Sequence, residues 1–275
     1  MSPAMALPWD PLFREAFLTG LLLAPLAALL GCWLRLRGEW LATLGYAHVA
    51  GAGGVIGAII HWPMLLSAMI ASLLAGGLKG LMSRGQAGNE VFGVMILLGW
   101  CLGLLAAANH PAADLVGRVF LDGQILFAGR GHLLTACVLV VLSVVVLHRV
   151  SRPLMRERFQ PGHLRANGRQ LWPMTLGFDA LVVLVVAASA MAMGVMASFA
   201  LLMLPAWVAW GVARGWRAAL WLSALLGLAA YSVAFMAALV LDQPFGPVLV
   251  MVLLSLLPLR WLAQRRGAGG GAGDL

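Results

Sequence analysis

One histidine, His48, stands inside an apolar run rich in Gly and Ala that extends from Trp40 to Ile60. A neutral imidazole is a good zinc ligand, and an ionisable side chain at membrane depth is a candidate functional site by default. The plainer alternative is a histidine hydrogen-bonded to a neighbouring helix. A second set of residues, His61, His110, Asp114, Asp122, His132 and Asp242, lies at or between the ends of apolar runs. Imidazole and carboxylate together suit zinc and similar cations, although connecting segments are polar in any protein. Glu90 and Asp179 fall at the starts of apolar runs, where a carboxylate favours a helix N-terminus. Gly51, Gly53, Gly54 and Gly57 form a small-residue stripe at near-helical spacing around His48. Such a stripe lets helices approach closely, or could give a narrow path a smooth wall.

Other chemistries are absent from the sequence. There is no G-x-x-x-x-G-K-[ST] loop to cradle nucleotide phosphates and no H-E-x-x-H zinc-hydrolase pair. The serines within apolar runs, such as Ser67, Ser143 and Ser198, lack the G-x-S-x-G setting of a nucleophile. Cys32, Cys101 and Cys137 all fall within apolar runs and read as small core residues, not as disulfide or metal partners.

The elements that position these residues are membrane spans. Of the 275 residues, 62% are hydrophobic and 10% charged, against roughly 25% charged in soluble domains. About nine apolar segments approach the ~20 residues a transmembrane helix needs. They are centred on 13–34, 40–60, 63–81, 91–108, 132–147, 174–195, 197–212, 218–241 and 245–262. The interval 109–131 is too broken by Gly, Asp and Arg to cross lipid and reads as an interfacial or re-entrant element. No cleaved signal peptide is expected. The membrane body is read as one domain over 1–266, with 267–275 a disordered Gly-rich tail.

The longest polar interval, 149–173, holds Arg149, Arg152, Arg156, Arg158, Arg165 and Arg169. Its centre, Phe159 to Gly168, reads as a short helix with Pro161 in the first turn and Gly168 as the C-terminal cap. With nine spans, all of the 18 Lys and Arg residues except Arg14, Arg118 and Arg130 fall on one side. The positive-inside rule makes that side cytosolic. The net charge of +8 is thus a topological signal and not a nucleic-acid one. The N-terminus is then outside and the C-terminus inside, and His48 lies roughly 12 Å from the cytosolic end of its span at 1.5 Å per residue.

Four stretches in order carry a resemblance. They are W-L-A-T-L-G-Y-A-H-V-A-G-A-G-G from Trp40, L-D-G-Q-I-L from Leu121, G-V-M-A-S-F-A-L-L-M-L-P-A-W-V-A from Gly194, and D-Q-P-F-G-P from Asp242. Together they resemble the permease subunits of bacterial ABC importers for zinc, manganese and related metals, over residues 12 to 262. The resemblance implies an all-α, type II importer architecture in the bacterial cytoplasmic membrane. It implies two permease copies around a central path, a separate cytosolic ATPase that hydrolyses ATP, and a periplasmic metal-binding protein. It makes zinc, or another divalent metal, the transported substrate, with no permanently bound cofactor. His48, His61, Asp122 and Asp242 become candidate contacts along the path. Phe159, Pro161, His163, Leu164, Arg165 and Gly168 become the element that touches the ATPase. Many members have Asp four residues before the histidine; here that position is Leu44, so a two-ligand site within one helix is missing. Manganese, iron, a metal chelate or cobalamin are the alternative cargoes, and an intramembrane enzyme is disfavoured.

Overall fold

The computed structural model describes residues 9–82, 89–110, 125–160 and 172–269. They form α1 (Arg14–Arg37), α2 (Ala42–Ile59), α3 (Met64–Met82), α4 (Asn89–Asn109), α5 (Arg130–Phe159), α6 (Trp172–Met193), α7 (Val195–Val212), α8 (Trp216–Leu241), α9 (Phe245–Leu254) and α10 (Leu257–Gly269). A single 3-10 turn, Ile125–Phe127, precedes α5. There is no strand among the described residues. Among the described residues, eight segments are long and apolar enough to cross a membrane, α9 and the start of α10 counting as one, while the apolar part of α3, Met64–Lys79, is shorter. The expected re-entrant element at 109–131 lies mostly outside the described residues; of it, Ile125 is fully buried in the core that α1 shares.

The chain turns where the backbone permits it. Gly38, at φ 74°, ends α1, its amide donating to the Arg35 carbonyl at 3.1 Å while that of Glu39 donates to Leu34 at 3.0 Å. This is the left-handed helix stop that glycine accepts without penalty. Gly194, at φ 90°, is the only residue between α6 and α7, so the two spans meet with almost no loop. The last span breaks at Ser255–Leu256 because Pro258 cannot donate a backbone hydrogen bond and crowds the preceding turn.

Four helices form the interior. α1 packs on α7, α8 and α5, and α2 packs on α3, α4 and α6. Contact at this closeness needs small residues. A Cβ on Gly31 would collide with the Leu202 carbonyl of α7. Polar side chains tie α8 to α1: Ser223 donates to the Ala28 carbonyl at 2.7 Å and Tyr231 to that of Ala16 at 3.2 Å. α4, α5 and α8 expose leucine, valine and tryptophan along much of their length. Here the sequence reading of the cysteines needs correction. Cys32 is buried, but Cys101 on α4 and Cys137 on α5 are exposed. An apolar run in a membrane protein can face lipid as readily as core.

The basic interval also differs from its expected form. α5 does not stop near Leu147; it continues to Phe159. Its 30 residues span about 45 Å at 1.5 Å per residue, well beyond the ~30 Å hydrocarbon thickness. Leu139, Ser143, Val150 and Leu154 stay buried along one stripe, so the packing that holds the span carries on past the charges. Phe159 is therefore the last residue of a long helix, not the start of a short one. Pro161, His163, Leu164, Arg165 and Gly168 lie outside the described residues, as does Asp122. α10 runs to Gly269, three residues past the expected domain end at 266.

Candidate functional site

His48 occupies the second turn of α2 and is 4% exposed. Its Nδ1 lies 2.9 Å from the carbonyl of Leu44, one turn earlier. A carbonyl only accepts, so Nδ1 carries the hydrogen and, in the neutral ring, the lone pair sits on Nε2. A ligating histidine is commonly oriented by such a bond through its other nitrogen. Leu44 thus contributes to the site through its backbone carbonyl, not its side chain.

The surroundings of His48 explain the glycines. A Cβ on Gly99 of α4 would stand 2.5 Å from the His48 carbonyl carbon and 2.7 Å from its oxygen. α4 therefore rests directly on the α2 backbone at this residue. Gly53 and Gly57 face Ser67 and Ala71 of α3, and Gly54 faces Met191 of α6. The stripe seats α2 between its neighbours, the structural one of its two readings.

His61 and Asp242 lie away from this position, each at the end of a helix. Both adopt positive φ, 58° and 51°, a region that Asp and His enter more readily than most residues. The amide after each closes a helix stop: Trp62 donates to Gly57 at 2.8 Å and Gln243 to Ala238 at 3.0 Å. Both side chains are exposed. His132 lines a cavity of about 380 Å³ with Met64 and Met191. Among the described residues, no three His, Cys, Asp or Glu side chains gather closely enough to hold a metal ion.

The feature missed from sequence lies at the arginine-rich face. Asp179 is not an N-terminal cap, since it is the eighth residue of α6; Glu90, by contrast, does lie in the first turn of α4. The Asp179 carboxylate meets Arg37 Nη1 at 2.7 Å and Lys79 Nζ at 3.2 Å. Glu39 meets Arg37 Nη2 and Lys79 Nζ, each at 3.0 Å. Two acids and two bases close a neutral ring in which each carboxylate uses both oxygens. Arg37 lies 5.1 Å over the Phe178 ring and Lys79 5.5 Å over Phe92. The ring joins the end of α1, the entry to α2, α3 and α6. From sequence, Arg37 and Lys79 counted only as topological charges. The available signal was two acids, Glu39 and Asp179, on the side where bases collect.

At the end of α5, Phe159 is 70% exposed. With Met155, Trp210, Arg214 and Trp216 it borders a cavity of about 300 Å³. This places the end of α5 against the α7–α8 turn.

A bundle of helices long and apolar enough to cross a membrane, α2 seated among its neighbours by glycines, describes a polytopic membrane protein. The model of the ABC 3 transport family matches residues 10–263, and the chain belongs to that family: it is a membrane permease of an ABC transporter, a transport component and not an enzyme. It is 21% identical over 244 residues to the chelated iron transport system membrane protein YfeD of Yersinia pestis, covering 88% of this chain and 82% of that one. It is 22% identical over 250 residues to the manganese transport system membrane protein MntC of Halalkalibacterium halodurans, covering 90% and 85%. The solved structure of PsaBC from Streptococcus pneumoniae in complex with Fab has a TM-score of 0.80 at 18% identity, over 94% of this chain and 93% of that one. The all-α permease architecture expected from the sequence is the one observed.

Proposed function

We propose that this chain is the permease of an ATP-driven importer of a metal ion, with zinc as the cargo. The observation that carries the reading is the buried His48, its Nδ1 hydrogen committed to the Leu44 carbonyl at 2.9 Å, which fixes the ring's tautomer and orientation as such a bond does for a metal-ligating histidine. One imidazole does not make a site, and zinc takes about four ligands. Two copies of the chain related by a dyad bring two histidines to the path, with water completing the set. His61, Asp122 and Asp242 act as outer contacts that receive the cation from a periplasmic binding protein. The arginine-rich face lies in the cytosol of a bacterial cell, the N-terminus outside. An ATPase seats on Phe159 and the segment through Gly168.

The names of the relatives, one for manganese and one for chelated iron, favour a second reading. A chelate brings its own ligands and needs few from the protein, which suits the lack of any three-residue metal cluster among the described residues. The test is uptake into proteoliposomes holding the permease and its ATPase, with labelled zinc, manganese or ferric chelate outside. His48→Ala is expected to lower zinc uptake by about 10-fold or more, since losing even a group that only orients a metal ligand costs about 10–100-fold, while ATPase binding persists. Unchanged zinc uptake removes His48 from the path. Uptake of chelate alone transfers the reading to the second cargo.

A further inference from the structure

Two arginines at the arginine-rich end stand outside the ion ring. Arg35, in the last turn of α1, lies 5.7 Å over the ring of Trp210. Arg260, in α10, lies 4.7 Å over Trp207, and its Nη1 donates to the Trp207 carbonyl. Neither has an acidic partner among the described residues. Trp207 and Trp210 stand three residues apart on α7, so the two guanidiniums sit over one turn of the same helix, and this corner of the fold carries a pair of positive charges without an acid between them. The ring formed by Arg37 and Lys79 is neutral by contrast.

Beside Arg35 a cavity of about 210 Å³ opens between α1, α2 and α7. Arg35 stands at it as the charged group, and Leu34, Trp40, Met203 and Trp207 supply apolar wall. Thr43 also lines it, but its hydroxyl donates to the Trp40 carbonyl at 2.9 Å and presents only acceptor capacity inward. Arg35 and Trp40 are exposed, so the cavity is reachable from outside the bundle. A guanidinium beside an apolar, tryptophan-lined slot at the end of a membrane span matches an amphiphile with an anionic head. Tryptophan prefers the headgroup level of a bilayer. Arginine takes phosphate oxygens in a forked pair of hydrogen bonds. Basic pockets between spans on the cytoplasmic side take anionic lipid headgroups.

We infer that this cavity seats the headgroup of one anionic phospholipid from the adjoining leaflet. The phosphate rests on Arg35 with Arg260 as the second cation, and the glycerol and first acyl carbons lie on Trp40, Met203 and Trp207. A free phosphate ion would satisfy the arginines and leave the apolar wall empty. A volume of about 210 Å³ suits a headgroup and a few carbons, with the remaining chain outside among lipids.

The test is native mass spectrometry of the full-length permease released from micelles titrated with phosphatidylglycerol or phosphatidylcholine. The expected result is one tightly held phosphatidylglycerol per chain, preferred about thirtyfold over phosphatidylcholine, the sum of two arginine–headgroup contacts. R35Q with R260Q removes the preference, and R35K with R260K retains most of it. R152Q, which removes an exposed arginine of α5, leaves it unchanged. Millimolar inorganic phosphate added during the titration leaves the lipid bound. Equal retention of the two lipids by the native chain overturns the inference, as does undiminished preference in the R35Q/R260Q chain. Full displacement by inorganic phosphate overturns it in favour of a simple anion site, and loss of the bound lipid when two copies associate assigns the cavity to the second copy instead.

Discussion

Lys79→Met is the sharpest probe of the charge ring. Lys79 is 4% exposed, and its ammonium touches both Glu39, at 3.0 Å, and Asp179, at 3.2 Å. Methionine keeps most of the side-chain volume and its contact with the Phe92 face, so the perturbation is the charge. Two carboxylates are then left with Arg37 alone, one negative charge in excess at a site where the acids are only 19% and 16% exposed. Breaking a buried ion pair by removing one partner costs roughly 3–5 kcal/mol; the residual exposure of the acids places the expected loss near the lower figure. Asp179→Leu should cost a similar amount, because it leaves a positive excess. The double variant removes one charge of each sign and keeps the Arg37–Glu39 pair at 3.0 Å. It should therefore be less destabilised than the sum of the singles by at least about 1 kcal/mol, the coupling expected of residues in one network. Unfolding in mixed micelles by SDS titration, followed by circular dichroism, measures all three. If Lys79→Met unfolds like the native chain, or if the two losses simply add, the four residues do not act as a ring.

Gly99→Leu forces α4 away from the α2 backbone at His48, since even a Cβ would stand 2.5 Å from the His48 carbonyl carbon. Overpacking of this kind costs about 1–3 kcal/mol, and the variant should lose uptake while remaining inserted, as read by transport in proteoliposomes; normal uptake would mean the α2–α4 contact is not needed. Phe159→Ala with Leu164→Asp should release the ATPase, because a buried aromatic anchor can carry about 2 kcal/mol or more at an interface. Co-purification in detergent reads this out, and undiminished recovery of the ATPase would deny the segment its coupling role. Reporter fusions after Pro161 and after Gln243 should report opposite compartments, the first cytosolic; a shared compartment would break the assignment of sides.

Much of the fold is legible in the sequence because insertion into lipid is a local decision. Whether Phe13–Leu34 or Met174–Val195 crosses a membrane depends on the summed transfer of those residues, and the fold supplies the corresponding helices. His48 is visible for the same reason, as an ionisable group within one apolar run. The end of α5 is not visible in this way. Charge marks where a chain leaves lipid, not where a helix stops, and Val150 and Leu154 continue the buried stripe through Arg149 and Arg152. Cys101 and Cys137 mislead likewise, because hydropathy does not tell lipid from core. The charge ring lies furthest from the sequence. Asp179 meets Arg37 across 142 positions and Lys79 across 100, so its members share no local pattern. Read singly, two were topological charges and one a helix cap. Only the packing of α1, α3 and α6 brings their unlike charges within about 3 Å, where the cost of burying each is offset by the others.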